Sequence, residues 1–306
     1  MSMGTPFVFN GIASEHYGVS LAFIENDGTK ANSGGGRTFT TMKAPRSARN
    51  SIINANQDQP LSFDVEIVFD TPADLHRLTA VKTWLGSPLK FSKLYICAEH
   101  FDDYYYNCYF TLGTDYIYAD GYDAISATIT CDAPWAWEEE KTVALPVGTF
   151  IAPKLYKFEN ISEDAEPMKP VISFRVTQSG ELNVRNPSLV IRNIQRDSSG
   201  SIIYDRTTIF ASGNLNQTLQ SPSDATKTIS FTVTGSTQYK QNEVITFDNE
   251  TAILHSSIDE PYRAGNFNKI FLKIPQGRNE LYIYSSFVDS IKMTYSNAKR
   301  LGGGWY

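Results

Sequence analysis

At 306 residues, 41% hydrophobic and 20% charged, the chain has the composition of a folded protein, with room for one large domain or two ordinary ones. A formal charge of -6 without any long Lys/Arg block argues against a protein that grips nucleic-acid phosphates. No apolar run approaches the ~20 residues that span a bilayer, and "MSMGTPFVFNG" lacks the basic-then-apolar order of a secretory signal, so synthesis and folding in a cytosol are expected.

In chain order, the first distinctive stretch is "NDGTKANSGGGRTFTTMKAPRSARN". It is Gly- and Ser-rich, then basic, with Arg37, Lys43, Arg46 and Arg49, and reads as a long loop or arm. "LSFDVEIVFD" follows, with Leu61, Phe63, Val65, Ile67 and Phe69 at every second position, the pattern of a half-buried strand. "TPADLHRLTAVKTWLGSP" reads as a helix. Thr71 is placed to cap it, Pro72 suits its first position and Asp74 its first turn. Leu75, Leu78 and Leu85, with Val81 or Trp84, make its apolar stripe, and Gly86 and Pro88 stop it. No second helix of comparable strength is legible.

"KLYICAEHFDDYYYNCYFTLG" reads as an aromatic hairpin turning near Asp102-Asp103, and "GYDAISATITCDAP" as the next strand. The texture then changes at "CDAPWAWEEE". Charges and prolines in "EEEKTVALPVGTFIAPK" mark a boundary, so residues 1–134 are expected as one domain, 135–150 as a linker and 151–306 as a second domain. In the second, short strands such as "KTISFTVTG" (Ile229, Phe231, Val233) and "SIKMTYS" (Ile291, Met293, Tyr295) recur between turn signals, the mark of a two-sheet sandwich or jelly roll.

Several clusters carry residues with chemical potential that plain structural roles also explain. Cys97, Cys108 and Cys131 show no CxxC spacing and read as buried free thiols. A nucleophilic Cys131 beside Asp132 would need a nearby histidine or a helix N-terminus to stabilise its thiolate, and nothing local places His16, His76, His100 or His255 beside it. "EHFDD" (Glu99, His100, Asp102, Asp103) has donor atoms for a metal but the spacing of a solvated turn. "SGGGR" lacks the remainder of a phosphate loop. Asp248 and Glu250 form an acidic pair of the kind glycosidases use, although both fall in one turn. Trp135 and Trp137 alternate and read either as a stacking platform for a sugar or partner, or as a plug at the seam between two domains. The plug is preferred, because the pair sits at the composition break. No catalytic, metal or cofactor constellation is assigned.

The order of these pieces resembles a known family. "FVFNGIASEHYGV", "LSFDVEIVFD" before a single helix ending "WLGSPLKFSKLYI", "DDYYYNCYF" and a strand closing on "CDAPWAW" are similar to the distal tail proteins of siphophages that infect Gram-positive bacteria. "FENISEDAEPMKPVISFRVTQSGELNVRN", "ITFDNETAILHSS", "NFNKIFLKIPQGRNELYI" and "IKMTYSNA" look like that family's C-terminal galectin-like sandwich. The resemblance implies a mainly β fold: a sandwich-like, ring-forming first domain with one helix and a hairpin arm, then a galectin-like jelly roll. It implies a homo-hexameric ring at the tail tip of the virion, made in the host cytoplasm. Its partners would be the tail tube protein, a tail-associated lysin or fibre protein, and receptor-binding or baseplate proteins, with DNA passing through the lumen without specific binding. No membrane, cofactor or catalytic residue is implied. Arg37, Lys43, Arg46 and Arg49 would then lie on an arm that grips a neighbouring copy. Two other classes remain open at this stage: a carbohydrate-binding module for the host cell wall, and a glycoside hydrolase using Asp248 and Glu250.

Overall fold

The computed structural model describes residues 4–22, 38–43, 50–56, 60–118, 121–149, 152–164, 166–177, 188–213, 215–221, 224–234, 238–258 and 263–301. The chain divides into two compact units, Met1–Glu139 with Ala298–Tyr306, and Glu140–Asn297.

The first unit begins with β1 (Phe7–Phe9), β2 (Ile12–Ala13) and β3 (Val19–Ala22), followed by a hairpin of β4 (Thr38–Lys43) and β5 (Asn50–Asn56). Then come β6 (Ser62–Ala73), the helix α1 (Leu75–Gly86), β7 (Ser92–Ile96), β8 (Tyr104–Tyr118), β9 (Gly121–Cys131) and β10 (Ala136–Glu138). An antiparallel sheet runs in the order β2-β1-β7-β8-β9-β6-β3. Alternation decides its faces: Phe63, Val65, Ile67 and Phe69 of β6 are buried, while Ser62 and Asp64 are exposed. Helix α1 packs Leu78, Val81, Trp84 and Leu85 into the same core. Each fully buried side chain of this size contributes about 1.5–3 kcal/mol.

The helix start differs from its sequence reading. Thr71, Pro72 and Ala73 finish β6, and Asp74 is the cap, its carboxylate accepting from Arg77 N at 2.8 Å. The extended preference of β6 runs on to the last residue that can cap, and Leu75 is left 65% exposed, outside the stripe. Arg77 then fixes the helix to the chain start. Its Nε donates to the Tyr17 carbonyl at 2.8 Å and its Nη2 to the Gly18 carbonyl at 2.6 Å, and its guanidinium lies 5.2 Å from the Phe69 ring centre. Gly18 has φ +60, and a Cβ there would run into Arg77, so the turn needs glycine twice over.

The second unit is an antiparallel sandwich. Its strands are β11 (Lys141–Pro146), β12 (Lys154–Asn160), β13 (Val171–Val176), β14 (Ser188–Arg196), β15 (Ile202–Ala211), β16 (Leu215–Ser221), β17 (Asp224–Val233), β18 (Val244–Asp248), β19 (Ile253–Ser256), β20 (Gly277–Ser285) and β21 (Val288–Tyr295). One sheet has the order β11-β21-β13-β18-β19 and the other β12-β20-β14-β15, while β16 and β17 pair with each other. Ile172, Phe174, Ile245, Phe247, Ile291 and Met293 of the first sheet meet Leu189, Ile191, Phe210, Leu281 and Ile283 of the second in one core.

Side chains add to the Met168–Ile274 backbone bridge in binding the segment 268–276 across that core. Tyr204 Oη donates to the Lys273 carbonyl at 3.0 Å, Arg206 Nε to that of Phe271 at 2.6 Å and Thr208 Oγ1 to that of Ile270 at 2.9 Å. Asn160 and Asn193 do the same for Ile274 and Lys273. Deeper in the unit, Arg263 Nη2 meets Glu243 Oε2 at 2.7 Å with both side chains almost fully buried. Lys240 N and Ser256 Oγ also donate to Glu243, which completes the hydrogen bonding such a buried pair requires.

The final strand, β22 (Ala298–Lys299), returns to the first unit. It pairs with β10 (Trp137↔Ala298), and β10 pairs with β8 (Trp137↔Tyr105). The division between units therefore falls after Glu139, not at 134, and the last residues belong with the first unit rather than the second. Span 135–150 was expected to be a linker but carries β10 and β11. The signal was hidden because β10 is three residues long, and because Val143 and Leu145 of β11 are flanked by charges and prolines.

Three outcomes are expected. A 140–297 fragment should fold and melt cooperatively. A 151–306 fragment, stripped of the edge strand whose Leu145 is buried, should be markedly less stable by circular dichroism; equal melting of the two would contradict the insertion topology. Arg263→Ala should destabilise the second unit by about 3–5 kcal/mol in urea titrations, because it strands a buried carboxylate.

Candidate functional site

The stretch that joins the two units is where the sequence candidates converge. Cys131 ends β9 and faces Cys108 of β8 in register. Both thiols are free and buried, and burial pushes both well above the ordinary thiol pKa. A thiolate nucleophile is therefore disfavoured at this position. Cys97 differs from its sequence reading: it is exposed, because it follows the last residue of β7 in the turn toward β8.

Past Cys131 the chain turns through Pro134 into β10. Trp135 and Trp137 are half-buried and meet edge to face, with ring centres 5.9 Å apart. Trp137 lies in register between Tyr105 of β8 and Ala298 of β22, and the Arg300 guanidinium sits 5.9 Å from the Trp135 ring centre. The cluster closes on Glu139. Lys93 Nζ reaches Glu139 Oε2 at 3.1 Å and lies 3.9 Å from the Tyr105 ring centre, while the Tyr95 hydroxyl donates to Glu139 Oε1. Burial first, then this bond to Glu139, raises the Tyr95 phenol pKa. Sequence reading found the two tryptophans and missed Lys93, Tyr95, Glu139 and Arg300. The run of three glutamates reads as a solvated boundary, and only the fold shows that one of them is held by a cation and a phenol.

The other candidates are not brought together. Glu99 and His100 touch at 3.7 Å on an exposed turn. Among the described residues, no group of three or more His, Cys, Asp or Glu side chains is placed to hold a metal. Asp248 caps its own turn, accepting from Glu250 N at 2.8 Å and Thr251 Oγ1 at 2.7 Å. Its partial burial opposes ionisation, but the Thr251 and Glu250 hydrogen bonds prevail and lower its pKa. Glu250 is paired with Lys169 at 3.3 Å, so the two acids are occupied separately. Of the arm residues, Arg37, Arg46 and Arg49 lie outside the described residues, as does "SGGGR". Lys43 ends β4 opposite Asn50 of β5.

Comparison with known proteins places the chain. A family model described as the phage tail protein N-terminal domain matches residues 3–133, and its companion, the phage tail C-terminal domain, matches residues 195–295. Between them they cover most of the chain. No curated protein matches it in sequence. Among solved structures it is similar to the Dit (gp 19.1) protein of phage SPP1, described as a paradigm of the hub adsorption apparatus in phages infecting Gram-positive bacteria. The TM-score is 0.58 at 10% identity, over 95% of this chain and 98% of that one. The mainly β fold expected from the sequence is the fold the two share.

Trp137→Ala should lower the stability of the first unit by roughly 1–3 kcal/mol, the value of burying a large apolar side chain. Residues 140–297 contain no tryptophan, so urea unfolding followed by tryptophan fluorescence reports the first unit alone. An unchanged midpoint would show that the ring fills no structural role.

Proposed function

The chain belongs to this phage tail protein family, a component of the virion's tail, and we propose that it is the hub at the tail tip. In this reading six copies close a ring that joins the tail tube to the baseplate, the fibre or tail-associated lysin, and the receptor-binding proteins. DNA leaves through the lumen. The role is structural rather than catalytic.

The observation that carries the reading is that the matched tail-protein domains fall in both units, while the fold follows that of SPP1 Dit along nearly its whole length. The β4–β5 hairpin adds support, since it pairs with no other described strand. A lone two-stranded hairpin is only marginally stable in water, and a neighbouring copy would complete it. Lys43, with Arg37, Arg46 and Arg49, is assigned to that contact. Trp135 and Trp137 are assigned to the joint between the units, just before the chain crosses at Glu139. The ring lumen is expected to be acidic or neutral, so that the duplex does not stick.

A sugar-binding sandwich is the other reading of the second unit. It is less favoured because three polar side chains of β15, Tyr204, Arg206 and Thr208, are bonded to the 270–273 carbonyls and serve the packing of the unit.

Solution mass and negative-stain imaging of the full chain test the proposal. A particle near six times 34.2 kDa with a central hole is expected. A monomer that neither forms rings with purified tail tubes nor decorates their ends, yet binds specific spots on a glycan array, would overturn it in favour of the sugar-binding reading.

A further inference from the structure

The register of Cys108 and Cys131 has a chemical consequence. The two cysteines sit directly opposite each other on antiparallel β8 and β9, with their side chains in the core of the first unit. In such a ladder, opposed residues alternate between hydrogen-bonded and non-bonded pairs. Asp132 N donates to the Asn107 carbonyl at 2.9 Å, which makes the neighbouring pair the bonded one. Cys131 N donates at 2.9 Å to Leu61 O, on the far side of β9, away from Cys108. Cys108 and Cys131 are therefore a non-bonded pair, the kind whose α-carbons lie roughly 4.5 Å apart and whose side chains approach most closely. Disulfides form across α-carbon separations of roughly 4.4–6.8 Å, so no strand needs to slide for these two sulfurs to join.

We propose that Cys108 and Cys131 form an oxidative modification site that closes to a cross-strand disulfide when a small peroxide reaches it. The sulfur of one cysteine, as thiolate, attacks a peroxide oxygen; the O–O bond breaks and one water leaves, giving a sulfenic acid. The second sulfur displaces that hydroxyl as a second water. One hydrogen peroxide is reduced to two waters, two S–H bonds are lost and one S–S bond forms. Burial holds both sulfurs in the thiol form, so the reaction is slow while the sheet is closed and speeds up as it opens or as the pH rises. A protein made inside a cell and released in a virion passes from a reducing to an oxidising medium, where such a bond persists. The bond would pin the end of β9, from which the chain turns into Trp135, Trp137 and the crossing to the second unit.

The test uses the full chain carrying Cys97→Ser, which removes the exposed thiol. Folded protein is treated with hydrogen peroxide, quenched, denatured, labelled with N-ethylmaleimide and mapped by mass spectrometry. Labels at positions 108 and 131 should vanish together and a linked peptide pair should appear, both reversed by a dithiol reductant. The rate should rise roughly tenfold per pH unit from neutrality, while thiolate is the minor form. The oxidised protein should melt at a higher temperature than the reduced one. Retention of both labels under conditions that oxidise the same chain in urea would overturn the proposal. So would separate sulfinic acids at the two positions, or disulfides linking different chains.

Discussion

Everything in the architecture turns on one short piece of pairing, β22 laid against β10, and β10 against the start of β8. An antiparallel pair brings two chain segments to the same place running in opposite directions. One therefore serves as the exit from the first unit and the other as the return. In chain order the second unit is an insertion into the first. The polypeptide passes between the units twice, after Glu139 and after Asn297. The exit is also clamped from the side by Lys93 and Tyr95, which hold Glu139 to the first unit's own sheet.

The second unit solves a different problem. Its two sheets bury an apolar core, but the inner face of β14 and β15 also carries Asn193, Tyr204, Arg206 and Thr208. Such groups cost free energy when buried unless each finds a partner. The segment 268–276 supplies its carbonyls to them, so the polar groups become the means by which that segment is held. Arg263 and Glu243 follow the same rule: the pair is buried, and its remaining donors and acceptors are matched by Gln238, Lys240 and Ser256. Polar side chains of the kind that line binding sites are here consumed in holding the shape.

What the sequence disclosed depended on the range of the interactions involved. Alternation over Leu61–Phe69 is a local signal, and all five residues are buried as read. The helix was legible for the same reason, although its cap moved from Thr71 to Asp74 because β6 competes for the residues between them. The return of the last strand was not legible. Ala298 and Lys299 make a two-residue strand whose partner lies about 160 positions upstream in the chain, and nothing in "SNAKR" announces it. The pairing of Cys108 with Cys131 was equally hidden, since their spacing fits no short motif and only the β8–β9 register makes them neighbours. Trp135 and Trp137 lay between these cases. Their alternation was visible, but the β8 and β22 partners on either side of Trp137 were not.

Strand edges of two hairpins remain available to other molecules. Asp248 is taken up by its own turn and Glu250 by Lys169, and the buried thiols are held protonated. The hairpins β4–β5 and β16–β17, in contrast, pair with no other described strand. An unpaired edge presents a row of backbone donors and acceptors, and soluble monomers ordinarily cover or blunt it because it recruits other chains. One such hairpin in each unit is a liability in a free monomer and an advantage in a subunit destined for a larger assembly. The pattern fits a scaffold whose specificity is written in backbone edges and their register, so its function would be lost by shortening a hairpin more readily than by changing any single titratable side chain.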